Sequence, residues 1–169
     1  MKKRKAKRPY YVDWAVTRAC NLRCSHCRGM PAEDISTARA LTLLRGIAEL
    51  RPGWLILEGG EPLLRKDLFA ILRYGRSLGL KIFLITNGML LTERMVRTLK
   101  RLGVGVMVSI DSPDADTFER IREGADFSTV VTAAVRLAEA GILNAINLTL
   151  SKQIFRQIPD LFRLSHWIG

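Results

Sequence analysis

The stretch Trp54-Leu55-Ile56-Leu57-Glu58-Gly59-Gly60-Glu61-Pro62 is a short apolar run that stops at two glycines, a carboxylate and a proline. A run of this length bounded by glycine and proline predicts a buried strand over Trp54–Glu58, with the proline opening the next helical turn. The same grammar recurs on both sides. Lys81–Thr86 runs into Asn87-Gly88, Val104–Ile110 runs into Asp111-Ser112, and Tyr10–Thr17 and Ile142–Leu150 are further strand candidates. Between them lie amphipathic stretches with apolar residues at helical spacing, such as Ser36–Leu50 with Leu41, Leu44 and Ala48, and Thr92–Leu102 with Met95, Val96, Leu99 and Leu102. Thr92 before Glu93 and Ser112 before Pro113 read as helix starts, and Gly79, Gly103 and Gly141 as helix stops.

Strands alternating with helices predict an α/β fold built on a parallel sheet. Its organising feature is that the glycines and polar residues all stand at the ends of the strands. Those ends share one face, which carries the active site in barrels and the ligand crevice in open sheets.

That face also receives Cys20-Asn21-Leu22-Arg23-Cys24-Ser25-His26-Cys27, which follows the first strand and holds all three cysteines of the chain. An odd, clustered set with no distant partner is a poor disulfide framework and reads as a metal or redox site in a reducing compartment, so a cytoplasmic location is expected. From the residues alone several readings stay open. Three buried core cysteines are one, although Asn21, Arg23, Ser25, His26 and Arg28 make the stretch polar. A structural zinc site is another, and it needs a fourth ligand from His26, which adjoins Cys27, or from the distant His166. An electron-transfer ferredoxin would saturate its cluster with four thiolates. An iron–sulfur cluster on three thiolates would leave one iron open to a cofactor or substrate, and Arg18, Arg23 and Arg28 would favour deprotonated sulfur.

The spacing Cys20-x3-Cys24-x2-Cys27 resembles that of the radical S-adenosylmethionine (SAM) enzymes. Gly59-Gly60-Glu61-Pro62, Thr86-Asn87-Gly88 and Ser109-Ile110-Asp111 resemble the other landmarks of that superfamily, in the same order. The resemblance runs from about Asp13 to Leu150. It implies a partial (β/α) barrel, a [4Fe-4S] cluster on Cys20, Cys24 and Cys27, and SAM chelating the fourth iron. One electron from the reduced cluster then cleaves SAM to methionine and a 5′-deoxyadenosyl radical, which abstracts hydrogen from a substrate. It further implies that Gly59, Gly60 and Glu61 hold the SAM amino group, largely through backbone, where glycine lets a ligand approach closely. Ser109 and Asp111 would face the methionyl carboxylate or ribose and Asn147 the ribose, although turn and cap roles also suit these residues. The family often has a large aromatic before the last cysteine, against the adenine; His26 stands there and can stack in its place.

Within the superfamily, Trp14–Gly29 looks most like the tetrapyrrole-modifying and peptide-maturing branches, with the nucleotide-cyclising enzymes of molybdopterin synthesis as relatives. The expected partners are a small-molecule or peptide substrate and an electron donor of the ferredoxin or flavodoxin kind.

Composition sets the outer bounds. A chain of 169 residues with 48% hydrophobic content suffices for a single packed domain. No segment is apolar for long enough to cross a bilayer, and Asp13 and Arg18 interrupt any signal-peptide core. Of the net charge of +11, six positive charges lie in residues 1–9, which are expected to be a solvated basic tail ahead of a core spanning 10–169. No aromatic-studded basic face or base-reading motif supports nucleic-acid binding. Radical SAM barrels have about six βα units and five strands are predicted here, so an incomplete core is expected, with an unpaired strand edge and with Phe155, Phe162 and Trp167 short of packing partners.

Overall fold

The computed structural model of the protein describes residues 8–29 and 34–169. Five strands, β1 (Tyr11–Thr17), β2 (Trp54–Gly59), β3 (Ile82–Thr86), β4 (Gly105–Ser109) and β5 (Leu143–Asn147), form one sheet in chain order. Every pairing is parallel, so each connection is a crossover, and helices fill them. The helices are α1 (Thr37–Leu50), α2 (Leu68–Ser77), α3 (Glu93–Leu102), α4 (Ala115–Ile121), α5 (Phe127–Glu139) and α6 (Ile158–Ile168).

Successive side chains along each strand point to opposite faces, and the helices cover one of them. In β2, Leu55 and Leu57 are fully buried against the helices, whereas Trp54, Ile56 and Glu58 on the opposite face are half-buried. Leu84, Val106 and Val108 continue the covered row across the sheet, with Leu57 opposite Leu84 and Leu84 opposite Val106. Ala40, Leu44 and Ile47 of α1, Ile71 and Leu72 of α2 and Val130, Ala133, Ala134 and Leu137 of α5 complete this core. Each fully buried leucine or isoleucine contributes about 1.5–3 kcal/mol of transfer free energy.

Differences from the sequence reading have local causes. The fifth strand ends at Asn147 and not at Leu150, because its last register partner is Ser109, the final residue of β4. Helix α4 starts later than the Ser112-Pro113 pair suggests. Its cap is Asp114, whose carboxylate accepts from Thr117 N at 2.9 Å, while the Ser112 hydroxyl accepts from Asp114 N and donates to Gln157 Oε1. Of the basic tail, residues 1–7 lie outside the described residues; Arg8 is docked, donating to the carbonyls of Arg51 and Pro52.

The sheet is an incomplete barrel with β1 at one margin and β5 at the other. In the chain beyond β5, Leu150, Phe155, Phe162 and Trp167 are exposed, the last two at 70%.

Candidate functional site

The segment after β1 is closed at its neck by Asp34. One carboxylate oxygen accepts from the Thr17 hydroxyl at 2.6 Å and the other from Arg18 N at 2.9 Å. The Thr17 bond is the main reason that the Asp34 carboxyl is held below the usual carboxylate range. Buried Arg65, three residues beyond Pro62, ties Val16 O, Ile35 O and Asp67 together beneath this neck.

Within the loop, Arg23–Cys24 pairs antiparallel with Arg122–Glu123, the connection between α4 and α5. Ser25 N adds a bond to Ile121 O at 2.8 Å, and Cys27 N turns back onto Cys24 O at 3.0 Å. Leu22 is buried, and Asn21 Oδ1 accepts from Asn87 Nδ2 at 2.9 Å. The cysteine loop is thus fastened to two separate parts of the fold, the connection between α4 and α5 and the end of β3.

A cleft of about 360 Å³ opens at the C-terminal ends of the strands. Cys20, Cys24, His26 and Cys27 line one wall, and Gly59, Gly60, Ser109 and Asn147 the strand-end floor. Glu61 and Asp111 do not line it; both are completely buried just behind it. Glu61 Oε1 accepts from Thr86 Oγ1 at 2.8 Å and Leu63 N at 3.0 Å, and Oε2 accepts from Asn87 N at 2.7 Å. Burial pushes the Glu61 carboxyl above its ordinary range against these three donors. Glu61 therefore joins the ends of β2 and β3 and shapes the floor from below. Asp111 accepts from Arg122 Nε at 2.7 Å and from Thr149 N at 2.7 Å, joining the end of β4 to the chain beyond β5.

The glycines have a structural reason different from ligand approach. A Cβ on Gly60 would stand 2.4 Å from Ala19 O and 2.6 Å from Arg18 O, and one on Gly59 would stand 2.3 Å from Thr17 O. Gly59 also has φ of +145°, which a side chain disfavours. The missing side chains make room for the backbone leading into the cysteine loop, which Gly60 N and Glu61 N clasp by donating to Thr17 O and Ala19 O.

Sequence reasoning missed Glu58 and Arg122 as lining residues; Arg18 and Asn87, which it placed beside the sulfurs and at the end of the third strand, line the cleft too. Glu58 was within reach, since alternation from Trp54 and Ile56 places it on the uncovered face; burial and then the nearby Asp13 charge raise its pKa.

The three cysteines are free thiols. Among the described residues no three His, Cys, Asp or Glu side chains stand in metal-site geometry, the cysteines included. The donor chemistry nevertheless suits a thiolate-bound cluster, because each sulfur has an N–H donor beside it. Leu22 N stands 3.4 Å from Cys20 Sγ, Gly29 N 3.3 Å from Cys27 Sγ, and Arg122 Nη1 3.9 Å from Cys24 Sγ. Burial pushes the Cys24 thiol up, Arg122 pulls it down, and the charges of Cys20 and Cys27 raise it again.

Comparison with known proteins gives a consistent assignment. The family model described as the Radical SAM superfamily matches residues 14–164. The AdoMet-dependent heme synthase of Methanosarcina barkeri is 38% identical over 169 residues, covering 95% of this chain and 48% of that protein. A protein of Archaeoglobus fulgidus named "Probable GTP 3',8-cyclase" is 38% identical over 133 residues, covering 76% of this chain and 44% of its own length. The chain spans less than half the length of either relative. In three dimensions, Streptococcus suis SuiB bound to S-adenosylmethionine superposes with a TM-score of 0.80 at 21% identity, covering 95% of this chain and 37% of SuiB, which establishes a common fold.

Proposed function

The chain belongs to the radical SAM superfamily, and we propose that Cys20, Cys24 and Cys27 bind three irons of a [4Fe-4S] cluster whose fourth iron takes SAM. These are the characteristic cofactors of the superfamily; when bound and reduced, they supply a 5′-deoxyadenosyl radical for hydrogen abstraction. The observation that carries this reading is the convergence of the cysteine loop with Gly59, Gly60, Ser109 and Asn147, from three different strand ends, on one cleft.

In this reading the protein's residues position and enclose. The floor at Gly59 and Gly60 receives the methionyl amino group, with Glu61 acting from behind by holding Asn87 and Leu63. Ser109 and Asn147 offer hydrogen-bonding groups for the methionyl carboxylate and ribose. Asp111 acts through Arg122 and Thr149, which line the cleft. His26, beside Cys27 on the cysteine wall, offers a ring face to the adenine.

The substrate class we favour is a tetrapyrrole, because the heme synthase is 38% identical over 95% of this chain, whereas a GTP 3',8-cyclase of Rhizobium etli that matches 94% of it is 32% identical. Peptide maturation is the second reading, favoured by the fold shared with SuiB, one structure of which is bound to precursor peptide SuiA. Residues 10–169 would form the core domain that generates the radical, fed by a ferredoxin- or flavodoxin-type donor in the cytoplasm. Among the described residues no helix is long and apolar enough to cross a membrane.

Adding SAM to the anaerobically reconstituted, dithionite-reduced protein tests the open iron. The electron paramagnetic resonance spectrum of the cluster is expected to change on addition. An unchanged spectrum at saturating SAM would rule out a ligand at the cluster.

A further inference from the structure

We propose that Arg122 sets the reduction potential of the cluster by donating to the Cys24 sulfur, and that Asp111 is the anchor that holds it there. The inference rests on the assignment of Cys24 as an iron ligand.

Arg122 is 98 residues from Cys24 in sequence, yet the two stand next to each other through two independent sets of contacts. Their backbones are ladder partners, Cys24 opposite Arg122 in the antiparallel pair. Their side chains also meet: Nη1 of Arg122 lies 3.9 Å from Cys24 Sγ, while Nε of the same guanidinium binds Asp111 Oδ2 at 2.7 Å. Asp111 is completely buried, and its other oxygen is occupied by Thr149 N. The Arg122 side chain is only 9% exposed. It therefore has little freedom to leave the sulfur, and the arrangement is more than a surface charge near a thiol. Cys20 and Cys27 have backbone N–H donors from the loop itself, Leu22 and Gly29. Among the described residues, Cys24 alone has a charged donor supplied from elsewhere in the fold.

Hydrogen bonds to cluster sulfurs and positive charge nearby stabilise the state with one more electron, so they raise the reduction potential. The electron enters from an external one-electron donor; no bond in the protein is made or broken. An arginine suits the task because its rigid fork places one donor on Asp111 and another on Cys24 at the same time. A lysine has a single nitrogen and cannot reproduce both contacts in that geometry.

The test is a redox titration of the reconstituted protein without SAM, followed by electron paramagnetic resonance, with iron and sulfide measured on every sample. Arg122→Lys is expected to retain the cluster and shift its midpoint potential to a more negative value. Arg122→Gln is expected to shift it further, since charge is lost along with the contact. An unchanged potential in either variant that retains its iron would overturn the proposal. Loss of the cluster in both variants would also overturn it, because Arg122 would then serve assembly and not potential. Wild-type protein that takes up no cluster at all would remove the cluster assignment itself, an outcome distinct from both.

Discussion

Replacing Cys24 by alanine is expected to reduce bound iron and sulfide after anaerobic reconstitution from about four of each per chain to background. The size of the effect follows from the ligand count. The chain has three cysteines in all, so no neighbouring thiol can take over the lost position. Cys24 is also the least exposed of the three and the one whose backbone is paired to another part of the fold. Its replacement by alanine leaves that ladder in place, because ladder bonds are made by backbone. Circular dichroism and thermal unfolding of the metal-free variant should therefore match the metal-free wild type. If the variant retains four irons, Cys24 is not a ligand.

The second large effect concerns stability. Asp111→Ala leaves the Arg122 guanidinium buried without its carboxylate and Thr149 N without its acceptor. Removing one partner of a buried ion pair typically costs about 3–5 kcal/mol, most of it the penalty of an uncompensated charge. A urea titration of the metal-free protein should show a loss of that order. A change below about 0.5 kcal/mol, the range of ordinary surface substitutions, would mean that the pair is solvated and holds nothing in place. Asp111→Asn retains an acceptor for Thr149 N and should recover part of the loss.

The parts of the fold legible in the sequence are those set by local pattern. Trp54–Glu58 is a short apolar run that ends at glycine, so strand and strand end follow from nine consecutive residues. The same holds for the cap at Thr92, where the hydroxyl accepts from the N–H three residues on. Membership in the superfamily was equally legible, because each landmark is short and stands at a strand end.

What was not legible depends on side-chain direction and on long-range pairing. Glu61 stands in a landmark that suggests contact with a ligand, yet its carboxylate turns inward to three donors on two segments. Asp111 likewise turns toward Arg122. No local signal distinguishes a carboxylate aimed at the cleft from one aimed behind it. Arg122 itself belongs to a ladder of two residues, too short to have a period, which pairs segments nearly a hundred positions apart. The glycines read as points where a ligand approaches closely, whereas the group that stands against them in the fold is the backbone at Thr17, Arg18 and Ala19.

The central claim is that three cysteines and no fourth protein thiolate hold a four-iron cluster. Iron, acid-labile sulfide and zinc analysis of the anaerobically purified and reconstituted protein tests it most directly. About four irons and four sulfides per chain, with zinc at background, is the predicted result. One equivalent of zinc with no sulfide would contradict it.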